Sequence, residues 1–592
     1  MKTRKIVALL LAVVMVFAMS ASAFAINADD TYSSYTFTDL GLTLQVSNGI
    51  EGLTITGSGL YATIAPDGTN EMPQALSLIF SNSNGSNFDT TSVSVTWDHA
   101  AIFDFYTEGD DQDPKYGYGA VELNGDSTSL TIRRGDKQCI VNINAPTAQV
   151  AGQGVAAYLP APGQFVNEGA TGSGWGGPFS KAGASTLKSL VEGYVTTGIS
   201  LGAFGGYAVL DFGAITRDAS GAYVSGGIYN DPNNAYGVDF TLFGNAMYNW
   251  AEPGCVQVSQ NGSDWYDIAG SLHYQTPSDT AGGAIWNYSA TYTNPVTADD
   301  DLASGSTGTT GNNVAYTATY KTRPTSTDAT ESGSVAFNNW HRHNYFPLYN
   351  NYFVALNGRT APLDGLLTPI STTLDLSDFG SYTAKTSSAA ATLQLNGVKL
   401  VAPKNDSGGN SVLPDSYLFG YFDCHPNGLR SGAQVNPYVT GRTGNDTSNG
   451  DPIDISWAVN PDGTPANLDA IRYVRCYTGV MQMNGAMGES SSELLGSHKA
   501  VTKGTGAATS DAALYYGEED ATPMNNNAKT EVASGTYHLV SHEDYVFVNG
   551  VNVSSEAATE VGYEIPITRG QVVQIITQSG NESPFLTVLV GK

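Results

Sequence analysis

The segment from Cys255 to Ile268 restricts the fold of this chain more than any other. Apolar and polar residues alternate in Cys255–Ser259 and again in Asp264–Ile268, and Asn261-Gly262 separates the two runs. Alternation with a period of two predicts a strand with one buried face, and Asn-Gly accepts the positive φ angles of a tight turn. The segment therefore predicts a β-hairpin.

Similar short runs recur along the chain and predict an all-β, multidomain protein. Runs of Val, Ile, Tyr and Thr are punctuated by Gly and Asn, and long helical periodicities are missing. Only 14% of the residues are charged, which leaves few side chains for the exposed faces of long helices. This pattern is typical of β-sandwiches.

The N-terminus predicts export. Lys2, Arg4 and Lys5 precede an apolar run, Ile6–Met19, and Ala23-Phe24-Ala25 provides a signal-peptidase site, so the first 25 residues resemble a signal peptide. A membrane anchor is the alternative, but a membrane span needs roughly 20 apolar residues. No later stretch is apolar enough to cross a membrane. We therefore expect a protein that is secreted or associated with the cell surface, with no transmembrane segment.

The charge of the chain restricts its partners. Lys and Arg total 26, Asp and Glu total 55, and the net charge is −29. Nucleic acids and anionic membranes repel such a chain, because phosphate binding requires clustered Lys and Arg. The remaining partners are a glycan or small-molecule ligand, or another surface protein.

Composition and turn signals predict three domains after the signal peptide. An immunoglobulin-like sandwich is expected over 30–150, and a jelly roll over 151–497 with an insertion at about 278–450. Within this insertion, 298–331 is rich in Thr, Ser, Gly and Asp, which predicts an exposed loop. A small β domain is expected over 510–592.

An ordered series of segments resembles a known family. It consists of Gly237–Asn245, Trp250–Gly254, the hairpin at 255–268, and the late pair of strands in Asp454–Tyr477. The series resembles bacterial secreted "cell surface proteins" that carry a galactose-binding-like jelly roll of the discoidin type, and the similarity covers roughly 158–493. The resemblance implies an exported jelly roll in which the early and late segments lie side by side. It leaves the ligand undefined.

Acidic residues near strand ends are candidate calcium ligands. Hard cations take several oxygen ligands, and jelly rolls of this type often carry one structural calcium, which is the one candidate cofactor. The proposed ligands are Glu252, Asp423, Asp454 and Glu489. Solvated turn carboxylates are the alternative. Relatives carry a calcium-binding insertion in the hairpin that this chain lacks, so no calcium site is expected at Asn261-Gly262.

Aromatic residues in loops are candidate ligand contacts. Ring faces stack on apolar sugar faces while amide and guanidinium groups orient hydroxyls. The candidates are Trp175, Asn245, Trp250, Trp340, Arg342, Tyr345 and Tyr421. The alternative is that about half of them belong to the core, as we expect for Trp265 and Trp457.

The four cysteines leave two interpretations open. Cys139, Cys255, Cys424 and Cys476 are spaced too widely for a zinc knuckle. Export permits disulfides, and a bridge between Cys255 and Cys476 is conceivable because both lie in predicted strands. Unpaired buried thiols are the alternative.

The sequence favours a binding protein over an enzyme. Glycosidases need two acids about 5–9.5 Å apart with one raised pKa, and 55 acids create many chance pairs without one that is framed as catalytic. The main hypothesis is capture of a glycan or small ligand through jelly-roll loops. The alternatives are a structural or adhesive surface protein and a polysaccharide-active hydrolase.

Overall fold

A computed structural model of the chain describes part of its 592 residues, and its regular structure is nearly all β, which confirms the predicted fold class. The described residues are 33–46, 53–66, 75–97, 102–106, 115–122, 128–143, 153–166, 190–247, 250–277, 283–294, 313–322, 326–336, 345–347, 374–383, 389–405, 411–412, 417–428, 434–441, 448–485, 488–506, 508–517 and 520–592. Described residues between 33 and 143 form one compact unit, and those between 153 and 592 form a second.

The first unit contains ten described strands in two five-stranded sheets. The strands are β1 (Ser33–Phe37), β2 (Leu42–Val46), β3 (Leu53–Ser58), β4 (Tyr61–Pro66), β5 (Ala75–Asn82), β6 (Ser94–Trp97), β7 (Ile102–Tyr106), β8 (Tyr116–Glu122), β9 (Thr128–Arg134) and β10 (Lys137–Ile143). One sheet has the order β1-β2-β5-β8-β7 and the other β3-β4-β10-β9-β6. Short 3-10 turns span Thr38–Leu40 and Thr90–Ser92.

The two sheets of the first unit share one apolar core. Every second residue of β2 is buried, as its alternating sequence requires, and Leu44 packs in the same cluster as Phe80, Leu130 and Val141. Because these residues come from both sheets, the unit is a two-layer sandwich. Its β4 and β10 pair in parallel. An immunoglobulin-like topology stays a prediction.

The first part of the second unit contains strands β11 to β32. They are β11 (Gln153–Leu159), β12 (Tyr194–Ser200), β13 (Tyr207–Phe212), β14 (Thr216–Arg217), β15 (Tyr223–Ser225), β16 (Ile228–Tyr229), β17 (Phe240–Phe243), β18 (Gly254–Ser259), β19 (Tyr266–Ile268), β20 (Ala284–Thr293), β21 (Val314–Lys321), β22 (Ala329–Val335), β23 (Gly380–Thr383), β24 (Thr392–Leu400), β25 (Lys404–Asn405), β26 (Ser411–Val412), β27 (Tyr421–Phe422), β28 (Asp451–Ile453), β29 (Ala458–Val459), β30 (Ala470–Ile471), β31 (Tyr473–Thr478) and β32 (Glu493–Lys499). Short 3-10 turns span Ala235–Gly237, Ser377–Phe379 and Ile455–Trp457.

Two sheets of the second unit position the candidate site. A seven-stranded sheet has the order β11-β13-β31-β18-β19-β29, with β27 also paired to β18. A four-stranded sheet has the order β12-β32-β17-β28. Small two-stranded ladders join β14 with β15, β16 with β30, and β25 with β26.

The pairing that we predicted between distant segments is confirmed. Strands β18 and β31 are antiparallel neighbours, with Val256 opposite Cys476. The hairpin is also present, because β18 pairs with β19 and Gly262 in the turn has a φ of 83°. Assignment of this body to the galactose-binding-like fold stays a prediction.

Two details of the late strands differ from the prediction. The strand expected over 468–477 is interrupted at Arg472 and forms β30 and β31. Trp457 is fully buried as expected, but it lies in a 3-10 turn rather than in a strand. Trp265 directly precedes β19 and is only partly buried.

The loop predicted over 298–331 is wrong in its second half. Strand β21 and the start of β22 occupy this stretch, and they belong to a five-stranded sheet of order β22-β21-β20-β24-β23. In β21, Tyr316 and Tyr320 alternate with threonines, and β-branched and aromatic residues favour strands even in a polar sequence. Polarity alone therefore predicted the wrong structure here.

The C-terminal part of the second unit is a small sandwich with one short helix, α1 (Ser554–Ala557). Its strands are β33 (Ala513–Tyr515), β34 (Ala528–Val532), β35 (Gly535–Val540), β36 (Tyr545–Val548), β37 (Val551–Asn552), β38 (Tyr563–Ile567), β39 (Val572–Gln578) and β40 (Phe585–Gly591). A three-stranded sheet, β33-β35-β38, and a five-stranded sheet, β34-β40-β39-β36-β37, share a core that includes Leu539, Val546 and Leu589.

All four cysteines are buried and none forms a disulfide, so the interpretation as buried thiols is confirmed. Cys255 lies opposite Tyr477, and Cys476 lies opposite Val256, so the two cysteines sit on neighbouring strands without facing each other. Burial raises the pKa of both thiols, which keeps them protonated.

The predicted signal peptide, residues 1–25, lies outside the described residues. Within the described ranges, no helix has the length and the apolarity that a membrane crossing requires.

Candidate functional site

Three buried carboxyl groups meet where the seven-stranded sheet and the four-stranded sheet of the second unit approach each other. Glu252 lies two residues before β18, Asp423 follows β27, and Glu493 begins β32. One carboxylate oxygen from each lies within 4.8 Å of the others. The residues are 7%, 0% and 2% exposed, respectively, so solvent is excluded. We call Glu252, Asp423 and Glu493 the carboxylate cluster.

Backbone donors fix Asp423 at the centre of the cluster. The residue has a φ of 55°, a left-handed conformation that Asp tolerates better than most side chains. Its Oδ1 accepts the N–H groups of Asn245 at 2.7 Å and Ala246 at 2.8 Å, and its Oδ2 accepts the N–H of Glu493 at 2.9 Å. Asp423 therefore ties the end of β17 to the start of β32.

Serines hold the other two carboxyl groups. Glu252 Oε1 accepts the N–H of Ser491 at 3.0 Å, and the Ser492 hydroxyl donates to the Glu252 carbonyl at 2.6 Å. The Ser200 hydroxyl donates to Glu493 Oε1 at 3.2 Å. Glu493 Oε2 accepts no N–H or hydroxyl donor, and its carboxyl group faces that of Glu252. A proton or a cation must therefore lie between these two groups.

Glu489 lies beside the cluster. Its Oε1 accepts the N–H of Gln164 at 2.8 Å, and its negative charge contributes to raising the pKa of Glu252. The residue is 2% exposed. Of the predicted calcium ligands, Glu252 and Asp423 thus meet in the cluster, and Glu489 lies next to it.

Burial makes the charged state of the cluster costly. Desolvation raises the pKa of Glu252 to about 7, against the lowering effect of its hydrogen bonds. Burial, followed by the charge of Glu252, raises the pKa of Asp423 and Glu493 well above the usual range. No Lys, Arg or His of the described chain forms an ion pair with these three groups.

The donor set of the cluster fits calcium. All three side chains offer hard oxygen ligands, which calcium prefers and which zinc and copper sites use less. An ionised carboxylate has about four lone-pair sites, and Asp423 uses three of them for N–H donors. Each carboxyl group therefore keeps at least one site for an ion.

Asp454 does not join the cluster, which corrects its place in the predicted ligand set. Its Oδ1 caps the 3-10 turn by accepting the N–H of Ser456 at 2.7 Å. Its neighbour is Asp239, whose pKa is raised by burial and by the charge of Asp454. The two aspartates form a separate acidic pair that the sequence did not predict.

Two of the predicted aromatic contacts are buried, so their rings offer no face to a sugar. Tyr345 is 0% exposed and Tyr421 is 2% exposed. The ring of Tyr421 stacks on His273 with 5.7 Å between centroids, and its hydroxyl accepts the N–H of Leu272 at 2.9 Å. The prediction that these two tyrosines form an exposed binding face is therefore wrong.

The other predicted contacts fall into two groups. Asn245 and Trp250 lie at the cluster, where Asn245 donates to Asp423 and Trp250 hydrogen-bonds the Glu252 carboxyl group. Trp175, Trp340 and Arg342 lie outside the described residues.

The sequence analysis missed Glu493. An acid that directly precedes the apolar pair Leu494-Leu495, at the start of a buried strand, was a usable signal, because a charge there must be paired or neutralised. Ser200 and Ser491 carried no such signal.

Comparisons with known proteins show no related family. No family model and no curated protein matches the chain. A crystal structure of domains 4 and 5 of the S-layer protein SbsC matches 21% of this chain and 82% of that chain, at 18% identity and a TM-score of 0.10. A structure of domains 4–9 of surface layer protein SbsC matches 96% of this chain and 92% of that chain, at 11% identity and a TM-score of 0.13. TM-scores this low do not establish a shared fold.

Proposed function

We propose that this chain is an exported structural protein of a cell surface, and that calcium held by the carboxylate cluster stabilises its second unit. One observation carries the proposal: Glu252, Asp423 and Glu493 are buried within 4.8 Å of one another without a cationic partner among the described residues. The signal-peptide pattern at the N-terminus supports export.

Burial favours a structural role for this site over a catalytic one. At 7% exposure or less, the three carboxyl groups offer no path for a substrate. The same groups connect the end of β27, the start of β18 and the start of β32, which belong to two sheets. A bound cation would neutralise their mutual repulsion and so hold the two sheets together.

The chain itself supplies the fixed geometry. Backbone N–H groups hold both oxygens of Asp423, and Ser491 holds Glu252, so little side-chain freedom is lost when an ion binds. Capture of a glycan, the main expectation from the sequence, is not part of this proposal, since Tyr345 and Tyr421 are buried.

Calorimetry of the signal-free chain with calcium and with a chelator tests the proposal. Free calcium at 100 times its Kd stabilises a binding-competent fold by about 2.7 kcal/mol, so the transition of the second unit moves to higher temperature. Glu493→Gln removes one charge from the cluster and should reduce this shift. Glu560→Gln, at an exposed position, is the matched control and should keep it.

Two results contradict the proposal. The proposed calcium site is contradicted if calcium leaves the melting temperature unchanged while Glu493→Gln stabilises the chain at neutral pH. Shared protons then neutralise the carboxylate cluster. The proposed structural role is contradicted if light scattering shows a monomer at every concentration while a glycan array shows saturable binding.

A further inference from the structure

We call the part of the second unit with the seven-stranded and the four-stranded sheet the central sandwich. A cavity of about 260 Å³ opens between it and the C-terminal sandwich. Its walls include Asp231, Gly237, Asp454, Asp469, Asn527 and Ser583. We call it the junction cavity. The Ser583 hydroxyl donates to the Pro232 carbonyl at 2.7 Å, so the two sandwiches touch directly at its edge.

Asp454 presents an unsatisfied oxygen in this cavity. The residue is 1% exposed, and while its Oδ1 accepts the N–H of Ser456, its Oδ2 has no hydrogen-bond partner. A buried carboxylate oxygen without a donor is costly. Gly237 keeps the space in front of it free, because a Cβ at that position would lie 2.5 Å from Asp454 Oδ2.

Asn527 presents a second unsatisfied oxygen from the other sandwich. Its Oδ1 is buried without a hydrogen-bond partner, although its backbone N–H donates to the Leu586 carbonyl at 2.7 Å. The residue has a φ of 52°, in the left-handed region. This conformation places Asn527 directly before β34, on the cavity wall.

Ion pairs cancel the other charges of the cavity wall. Lys503 Nζ lies 2.5 Å from Asp231 Oδ2, and Arg217 makes two bonds to Asp469 at 2.5 and 2.7 Å. Asp454 forms no ion pair with any described residue, and Asp239 beside it adds a like charge. An ionised Asp454 therefore has no cation among the described residues to compensate its charge.

The chemistry of the wall selects a hard cation. Asp454 Oδ2 and Asn527 Oδ1 both require a donor or a positive ion, and no Lys, Arg or His is among the described residues that line the cavity. The same lining contains no aromatic ring on which a sugar could stack. A volume of about 260 Å³ holds an ion together with several waters.

We propose that the junction cavity binds a partly hydrated calcium ion through Asp454 Oδ2 and Asn527 Oδ1, and that this ion fastens the C-terminal sandwich to the central one. Calcium accepts six to eight oxygen ligands in flexible geometry, with waters among them. The site is distinct from the carboxylate cluster, so it stands whether or not calcium binds there.

Calcium binding to the metal-stripped, signal-free chain, measured by equilibrium dialysis against calcium chloride, tests this site. Asp454→Asn keeps the capping oxygen but removes the charge, and we expect it to lower the bound calcium by one ion per chain. Asn527→Gly removes Oδ1 while glycine accepts the positive φ, and we expect it to weaken one site at least ten-fold. Asp462→Asn, which removes a turn carboxylate elsewhere on this unit, is the matched control.

The outcomes separate the two sites. If Glu493→Gln leaves the calcium count unchanged while Asp454→Asn lowers it, the junction cavity binds calcium and the cluster does not. The proposal is overturned if both Asp454→Asn and Asn527→Gly bind calcium as the unmodified chain does. Should Asp454→Asn fail to fold, the affinity of Asn527→Gly decides alone.

Discussion

The cores of the two units differ in their chemistry. Between 33 and 143, no polar or charged side chain is buried among those whose burial the structure describes, and Phe80 and Leu130 belong to an apolar cluster. The second unit buries Glu252, Asp423 and Glu493 as well as the guanidinium of Arg475. Because burying charge costs several kcal/mol per ion, the core of the second unit contains a cost that the described core of the first unit does not show.

Arg475 shows how the second unit satisfies a buried charge when it supplies the partners itself. Its guanidinium lies 3.8 Å from the ring centroid of Phe379 and 4.2 Å from that of Tyr477, and it donates to Gln257 Oε1 at 2.8 Å. Ring faces and an amide oxygen thus replace water around the cation. The carboxylate cluster has no equivalent among the described residues, and this is the reason for the calcium ion that we propose there.

Lowering the pH should change the stability of the second unit much more than that of the first. Burial lowers the pKa of His273 from 6.5 to about 3, and its Nδ1 lies 2.9 Å from the Tyr421 hydroxyl. The neutral ring therefore contributes stability that is complete above pH 6.5 and is lost as the pH falls towards 3. For His273 alone, the whole loss is on the order of 5 kcal/mol. The buried carboxyl groups act in the opposite direction, because the raised pKa of Glu252 makes the folded state gain stability as the pH falls through about 7.

Urea unfolding at pH 7.5 and pH 4.5 measures this effect. His273→Asn offers an acceptor oxygen in place of Nδ1 and does not titrate, so the second-unit stability of the variant relative to that of the unchanged chain should rise as the pH falls from 7.5 to 4.5. Equal pH slopes for the two proteins would show that His273 does not act as a buried neutral base.

A large apolar truncation should affect only the first unit. Phe80 is 0% exposed, and Phe80→Ala should cost about 3–5 kcal/mol by leaving a cavity. The melting temperature of the first unit should fall equally at both pH values, while that of the second unit stays unchanged. Tyr116→Ala, at a position 37% exposed on the same sheet, is the control with a small effect. A matching fall in both transitions would end the view that the units are independent.

A surface ion pair of the second unit should matter least. Lys399 lies 2.8 Å from Glu331 and 4.7 Å from the ring centroid of Tyr288, so Lys399→Met should cost at most about 1 kcal/mol. Lys321→Met breaks a more exposed pair with Asp328 and should have almost no effect. Thermal melts of the two variants measure the difference. A loss of several kcal/mol for Lys399→Met would place part of the second unit's stability on its surface.

Local signals predicted the local structure well. The hairpin around Gly262 depends on alternation and on one turn, and both are written in neighbouring residues. The insertion shows the limit of such signals, because β21 is polar enough to resemble a loop and yet pairs with β20 along most of its length.

The site was only partly predictable. Glu252 and Asp423 were named because acids near strand ends are candidate ligands, but 55 acids offer many such positions. Which of them meet is decided by strand order, and this joins Glu493 to Asp423 and separates Asp454 from both. Tyr421 was misplaced for a similar reason, since the ring that stacks on it, that of His273, comes from a distant segment.

The strand order also sets when the second unit can fold. Gln257 of β18 and Arg475 of β31 touch although 218 positions separate them, and Ser200 meets Glu493 across 293 positions. Contacts of such long range slow folding, because the loop entropy is lost before the contacts form. A chain released only as far as Ile471 still lacks β31 at the centre of its largest sheet. This sheet therefore closes late in synthesis, and its early strands need protection from aggregation until then.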